Sequence, residues 1–199
     1  METWLTTDPW IGMLVWTIVY ISDYAMTIAS ARKYRSNPHL EFEGSFELTP
    51  QFERDVNALN PISRWHILML LLTNALLLVF WWLFSLLDYR QGFLFVLGML
   101  ILMEAGIHFR HFRTWHLLTA NESQGGLEGK ITYRRWLLYS TSAFEFLSFS
   151  ILFLVTAALT RSLFFIGGAL SCLSLAINHQ RKYRTLYRQR ITGQGKQAE

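Results

Sequence analysis

Residues 91–113 read QGFLFVLGMLILMEAGIHFRHFR. The run from Gly92 is apolar for long enough to cross roughly 30 Å of hydrocarbon. It is interrupted only by Glu104, His108 and His111, and it closes on the pair Arg110 and Arg113. Two other segments close in the same way, Arg32-Lys-Tyr-Arg-Ser36 and Arg181-Lys-Tyr-Arg-Thr185, each after its own apolar stretch. The pattern predicts an all-α, polytopic membrane bundle with one basic end.

Applied along the whole chain, the same reading places five transmembrane spans at about 9–31, 65–88, 92–112, 136–160 and 162–179. A shift of 71 residues lays Arg64-Trp65 on Arg135-Trp136, Asn74 on Glu145, Arg90 on Arg161 and His108 on His179. Leucine-rich segments match one another by chance, but their polar residues do not. Spans two and three and spans four and five are therefore expected to form two parallel-repeat hairpins, with span one as a lone helix.

Sixteen of the eighteen Lys and Arg fall after span one, around the loop after span three, or in the tail; only Arg90 and Arg161 lie elsewhere. By the positive-inside rule this orients the N-terminus outside and the C-terminus in the cytoplasm. Met1–Trp10 has no basic n-region, so the first span reads as an uncleaved signal-anchor. Tryptophans 10, 65, 81, 82, 115 and 136 sit near span ends, where an indole prefers the headgroup layer. The expected location is the cell (plasma or inner) membrane. Basic blocks flanking apolar spans explain the charge without nucleic acid, and a lone Cys172 excludes a disulfide framework.

One membrane domain, 1–186, and a short basic tail, 187–199, disordered toward its end, cover the chain. In the cytoplasmic loop 32–64, acidic and apolar residues alternate around Gly44-Ser45, which predicts a short β-hairpin. Thr49-Pro50 then starts a small amphipathic helix carrying Phe52, Val56 and Leu59, suited to the membrane interface or the end of the bundle. The acids of this loop, Glu41, Glu43, Glu47, Glu53 and Asp55, read first as a solvated face neutralising nearby arginines and second as ligands for a divalent cation. Asn121–Lys130 reads as a mobile loop, and its Gly-Gly-Leu-Glu-Gly-Lys string lacks the phosphate-loop spacing.

Chemistry concentrates in a polar layer. Asp23 and Glu104 lie nine residues before Arg32 and Arg113, and Asn74 and Glu145 ten after Arg64 and Arg135. All four fall roughly 13–15 Å inside the basic boundary at 1.5 Å per residue. A carboxylate at that depth costs on the order of 2.5–3.5 kcal/mol, so three of them should face an interior or a cavity. Asp23, Asn74, Glu104, His108 and Glu145 are the expected pocket, for a proton, a cation or a small polar solute that is bound and, in a transporter, passed across. Glu104, His108 and His111, at helical spacings of four and three, are the candidate metal ligands, and the cofactor is otherwise open. Arg32, Arg35, Arg110, Arg113, Arg181 and Arg184 answer first to topology and, as a sharper alternative, to anionic headgroups, since guanidinium matches phosphate in a bidentate way.

Three functions remain after this reading. The first is the non-enzymatic binding or transport bundle. The second is an anionic-lipid-binding or assembly subunit, alone as a homo-oligomer or within a larger membrane complex. The third is a metal-dependent membrane enzyme acting on a lipid. No complete catalytic constellation stands in the sequence, so the balance leans away from an enzyme.

Overall fold

A computed structural model describes residues 2–124 and 129–195, and among them the chain forms seven helices and two short strands. Five helices are long and apolar enough to cross a membrane: α2 (Pro9–Ser36), α4 (Arg64–Leu86), α5 (Gln91–Gln124), α6 (Arg135–Thr160) and α7 (Leu163–Gly195). This is a multi-pass helical architecture. The outward faces of α4 and α6 carry exposed Leu71, Val79, Trp82, Leu152, Val155 and Leu159, an apolar annulus that only lipid would cover at no cost.

Local chemistry sets the helix boundaries. Asp8 caps α2 by accepting from Trp10 N at 2.9 Å, with Pro9 in the first turn, where its missing N–H is no loss. Ser63 caps α4 in the same manner through His66 N. Two left-handed residues, Asp88 (φ 50°) and Arg161 (φ 55°), make the tight reversals into α5 and α7. The remaining short elements are α1 (Glu2–Thr7), β1 (Leu40–Phe42), α3 (Pro50–Asn57) and β2 (Ile131–Tyr133).

Helix α5 is the centre of the bundle, packed against α2, α4 and α7. Its seam with α7 is built on glycine: Gly98 lies against the Phe164 backbone and Gly167 against Phe95 O, so a methyl on either would strike main chain. Trp16, Tyr20, Leu77, Phe93 and Leu97 form the core between α2, α4 and α5, and Phe146, Cys172 and Ala176 form that between α6 and α7. Helix α6 leans on α7 and barely reaches α5. At the basic end this leaves an opening between α2, α5 and α6.

The segment 40–56 roofs that opening. Helix α3 packs Val56 and Phe52 onto Tyr24, Ile28 and Ala31 of α2, so its apolar face caps the bundle. The expected β-hairpin is not formed: β1 pairs in parallel with β2, Leu40 opposite Ile131 and Phe42 opposite Tyr133. Gly44 does turn the chain (φ 87°). Ser45 Oγ then donates to Asn57 Oδ1 and accepts from Glu47 N, which turns Phe46–Leu48 inward under the roof and leaves β1 open to a different partner. The ladder carries ion pairs from Glu41 to Lys130 and Glu43 to Arg134, while Glu53 of α3 holds Arg135. Tyr139 of α6 donates its hydroxyl to Leu48 O.

One more correction concerns the loop after α5, and the start of the tail is helical. Helix α5 continues through Gln124, where a mobile loop was expected from Asn121; Gly125–Glu128, most of the glycine string, lie outside the described residues. The tail is helical as far as Gly195, because Tyr187 stays on the α7 face that packs on Trp136, with ring centroids 5.5 Å apart. Residues 196–199 lie outside the described residues.

Candidate functional site

Between α2, α5, α6 and the roof lies a cavity of about 1150 Å3. Helix α2 contributes Tyr20, Asp23, Tyr24 and Thr27, four positions at spacings of three and four that share one helical face. Helix α5 contributes Glu104, Arg110 and His111, and α6 contributes Thr141 and Glu145. Phe42, Phe46, Leu48 and Phe52 close the top. The chamber is therefore apolar above and charged below.

On one side of the floor, Asp23, Glu104 and His108 each bring a ligand-type atom within 4.8 Å of the other two. Glu104 is 4 % exposed, and its Oε2 has no hydrogen-bond partner among the described residues; the same holds for Asp23 Oδ1. Asp23 Oδ1 lies 3.2 Å from His111 Nε2, but that nitrogen is aligned on Thr27 Oγ1 at 3.1 Å. The Asp23–His111 contact is thus electrostatic rather than a formed hydrogen bond. His108 is fixed at both nitrogens, Nδ1 2.8 Å from the Glu104 carbonyl and Nε2 2.7 Å from Ser22 Oγ. A carbonyl only accepts, so Nδ1 carries the hydrogen.

On the other side, Glu145 receives two guanidiniums. Arg110 Nε lies 3.1 Å from its Oε2, and Arg113 pairs with its Oε1. Arg110 also lies over the Phe146 ring, 5.3 Å from its centroid. At the roof, Glu47 accepts from Thr49 N at 2.7 Å, while burial pushes its carboxyl up against the pull of that N–H. His66 closes the α4 side, stacked on Tyr20 at 4.2 Å with Nε2 donating to Tyr20 O. His179 of α7 meets Ser142 Oγ at 2.7 Å.

Of the five expected pocket residues, Asp23, Glu104 and Glu145 line the chamber and His108 stands behind it in the Asp23–Glu104 cluster. Asn74 does not belong there. It donates to Thr17 Oγ1 and Leu70 O, and with Thr73, which accepts from Trp16 Nε1 at 2.9 Å, it clasps α4 to α2. The metal-type trio also differs from the expected one, with Asp23 in the place of His111. Spacing along a single helix selected His111, whereas the third group comes from a neighbouring helix.

The six arginines do not act alike. Arg32, Arg181 and Arg184 are exposed, Arg35 is exposed and reaches Asn57 O, and Arg110 and Arg113 turn to Glu145 instead of toward headgroups. Tyr20 and His66 entered no expected site, Glu47 was expected only as a partner for nearby arginines, and Phe52 only on the face of the amphipathic helix. The signal for Glu47 was present, since an acid in an otherwise apolar Phe46–Leu48 run has to meet a partner. The chain matches no family model, no curated protein and no solved structure.

Proposed function

We propose that this chain is a binding protein of the inner half of the membrane, oriented with its N-terminus outside and its basic end in the cytoplasm, whose chamber takes a small amphipathic cation. The orientation rests on the distribution of Lys and Arg. The near-equal spacing of Asp23, Glu104 and Glu145 from their basic anchors suits a shared chamber. The ligand class rests on one observation: a cavity of about 1150 Å3 with aromatic walls above and an excess of carboxylates below.

That volume suits an organic molecule, since ligand pockets run to about 300–1,000 Å3, and a bare ion needs a small part of it. Asp23, Glu47, Glu104 and Glu145 line it together with Arg110 and Arg113, which pair with Glu145. Counted by side chain, four acids stand against two guanidiniums, and each proton the acids hold lowers that excess by one. Tyr20, Tyr24 and Phe52 add ring faces, which attract cations in a desolvated site.

A matched pair of probes tests this reading. Tetraphenylphosphonium and tetraphenylborate share size and shape and differ in the sign of the charge. Purified full-length protein in detergent should bind the phosphonium saturably, one per chain above the empty-micelle background, and the borate not. Saturable borate binding of equal or greater strength would discard the cation reading. The metal-dependent lipid enzyme stays as a second reading because of one arrangement, the trio of Asp23, Glu104 and His108.

A further inference from the structure

We infer that Asp23, Glu104 and His108 form a binding site for a divalent first-row metal ion, zinc or manganese, in the floor of the chamber. This goes beyond the amphiphile reading and does not depend on it. Three observations carry it. Each residue offers a ligand-type atom within 4.8 Å of the other two. Glu104, 4 % exposed, carries an oxygen with no hydrogen-bond partner among the described residues, and Asp23 carries a second. The histidine can serve as a ligand, because its Nδ1–H is held by the Glu104 carbonyl at 2.8 Å, which makes Nε2, now facing Ser22 Oγ at 2.7 Å, the nitrogen with a lone pair to give.

Ser22 is compatible with this use of Nε2. Its hydroxyl lies 2.7 Å from Nε2 and 2.8 Å from Val19 O. It has one hydrogen to give, and when a metal takes the Nε2 lone pair that hydrogen goes to Val19 O. Two carboxylates and one imidazole make an oxygen-rich set with a single nitrogen, which favours manganese or zinc over the thiolate-seeking metals. Three protein ligands leave positions open toward the chamber. Two buried carboxylates a few ångströms apart repel each other, and a dication removes that repulsion while supplying the partner that Glu104 lacks. A proton shared by the two acids is the competing way to relieve the same repulsion. It gives no role to the held histidine.

The test uses the full chain, purified in detergent, stripped with a chelator and titrated with zinc chloride or manganese chloride. Bound metal is measured by elemental analysis after gel filtration, and free manganese by its electron paramagnetic resonance signal. One ion per chain is expected for at least one of the two metals. Outer-shell changes cost about 10–100-fold in metal affinity, so loss of a ligand in Glu104→Gln, Asp23→Asn or His108→Gln should cost at least about 100-fold. His111→Gln, an outer-shell change beside Asp23, should cost no more than about 10-fold, less than the loss of any ligand. If one ligand variant fails to elute as a monodisperse peak, the other two carry the comparison. Wild-type protein that retains neither metal, ligand variants that bind as the wild type does, or a loss produced by His111→Gln and not by His108→Gln would each overturn the site. One-to-one metal with no preference for the phosphonium probe would keep the metal site and discard the amphiphile reading. The converse would separate them the other way.

Discussion

At position 145 one carboxylate, 15 % exposed, faces two guanidiniums, and removing it strands Arg110 against the Phe146 ring while the half-exposed Arg113 turns to water. Breaking a fully buried pair from one side costs about 3–5 kcal/mol, and partial exposure lowers this, so Glu145→Gln should cost about 2 kcal/mol. Combining Glu145→Leu with Arg110→Met should recover part of that loss, as thermal unfolding in detergent would measure. Additive effects of the two single changes would mean that the pair is not coupled. Glu104 behaves differently, having no cation to strand. There Glu104→Leu should fold better than Glu104→Lys, which adds a buried charge beside His108; equal yields of folded protein from the two would contradict the buried placement.

Glu47 supplies a pH dependence of definite sign. Its carboxyl sits above the ordinary value of 4.5, chiefly through burial, with Asp23 adding to the rise and Thr49 N–H and His111 opposing it. An acid raised in the folded state contributes stability that is whole below its unfolded value and is lost as pH rises through its folded one. The wild-type minus Glu47→Gln difference in melting temperature should therefore fall with rising pH from 4.5 upward. A difference that grows with pH would show that Glu47 is stabilised as the anion. These residue-level features were partly legible. The spacing of Asp23, Glu104 and Glu145 from their basic anchors placed them on one level, whereas the joining of Asp23 to Glu104 and His108 crosses between helices, and no pattern within one helix encodes that.

Among the elements, hydropathy fixes the five long helices because a membrane span has to satisfy its own backbone, which leaves little choice of structure. The roof is a different case. Residues 40–42 alternate as any strand does, and their partner is selected by tertiary placement, so the local Gly-Ser signal pointed to a hairpin that does not form. The α5–α7 seam was not read either, since glycine in an apolar run carries no mark of what approaches it. Gly98→Val or Gly167→Val should each cost at least about 3 kcal/mol, because the obstacle is main chain that cannot rotate away. At Gly12 the neighbour is the flexible Leu97 side chain, and Gly12→Ala should be milder. A Gly12 change as harmful as the other two would remove the backbone-contact argument. At the helix ends, neutralising Arg181 and Arg184 to Gln should reduce retention of co-purified anionic lipid, with added salt acting likewise. Unchanged retention would leave these arginines to topology alone.

For the molecule as a whole, the basic blocks gather at one end and Arg90 and Arg161 stand at the other. With Cys172 replaced, a cysteine at Leu5 should react with an impermeant thiol reagent from outside in intact cells. Labelling from the cytoplasmic side alone would reverse the topology.

The parallel pairing of β1 with β2 also constrains synthesis. Leu40 meets Ile131 across 91 residues of chain, so the roof has no strand partner until α4, α5 and β2 have left the ribosome. Contacts of such sequence separation form late, because loop closure is costly before the contact repays it. During that interval Asp23 and Glu104 are already in the bilayer beneath an unfinished cover. A chain cut before Ile131 should therefore leave Asp23 and Glu104 more accessible to water than the full chain does, which solvent-accessibility labelling of the two lengths would measure.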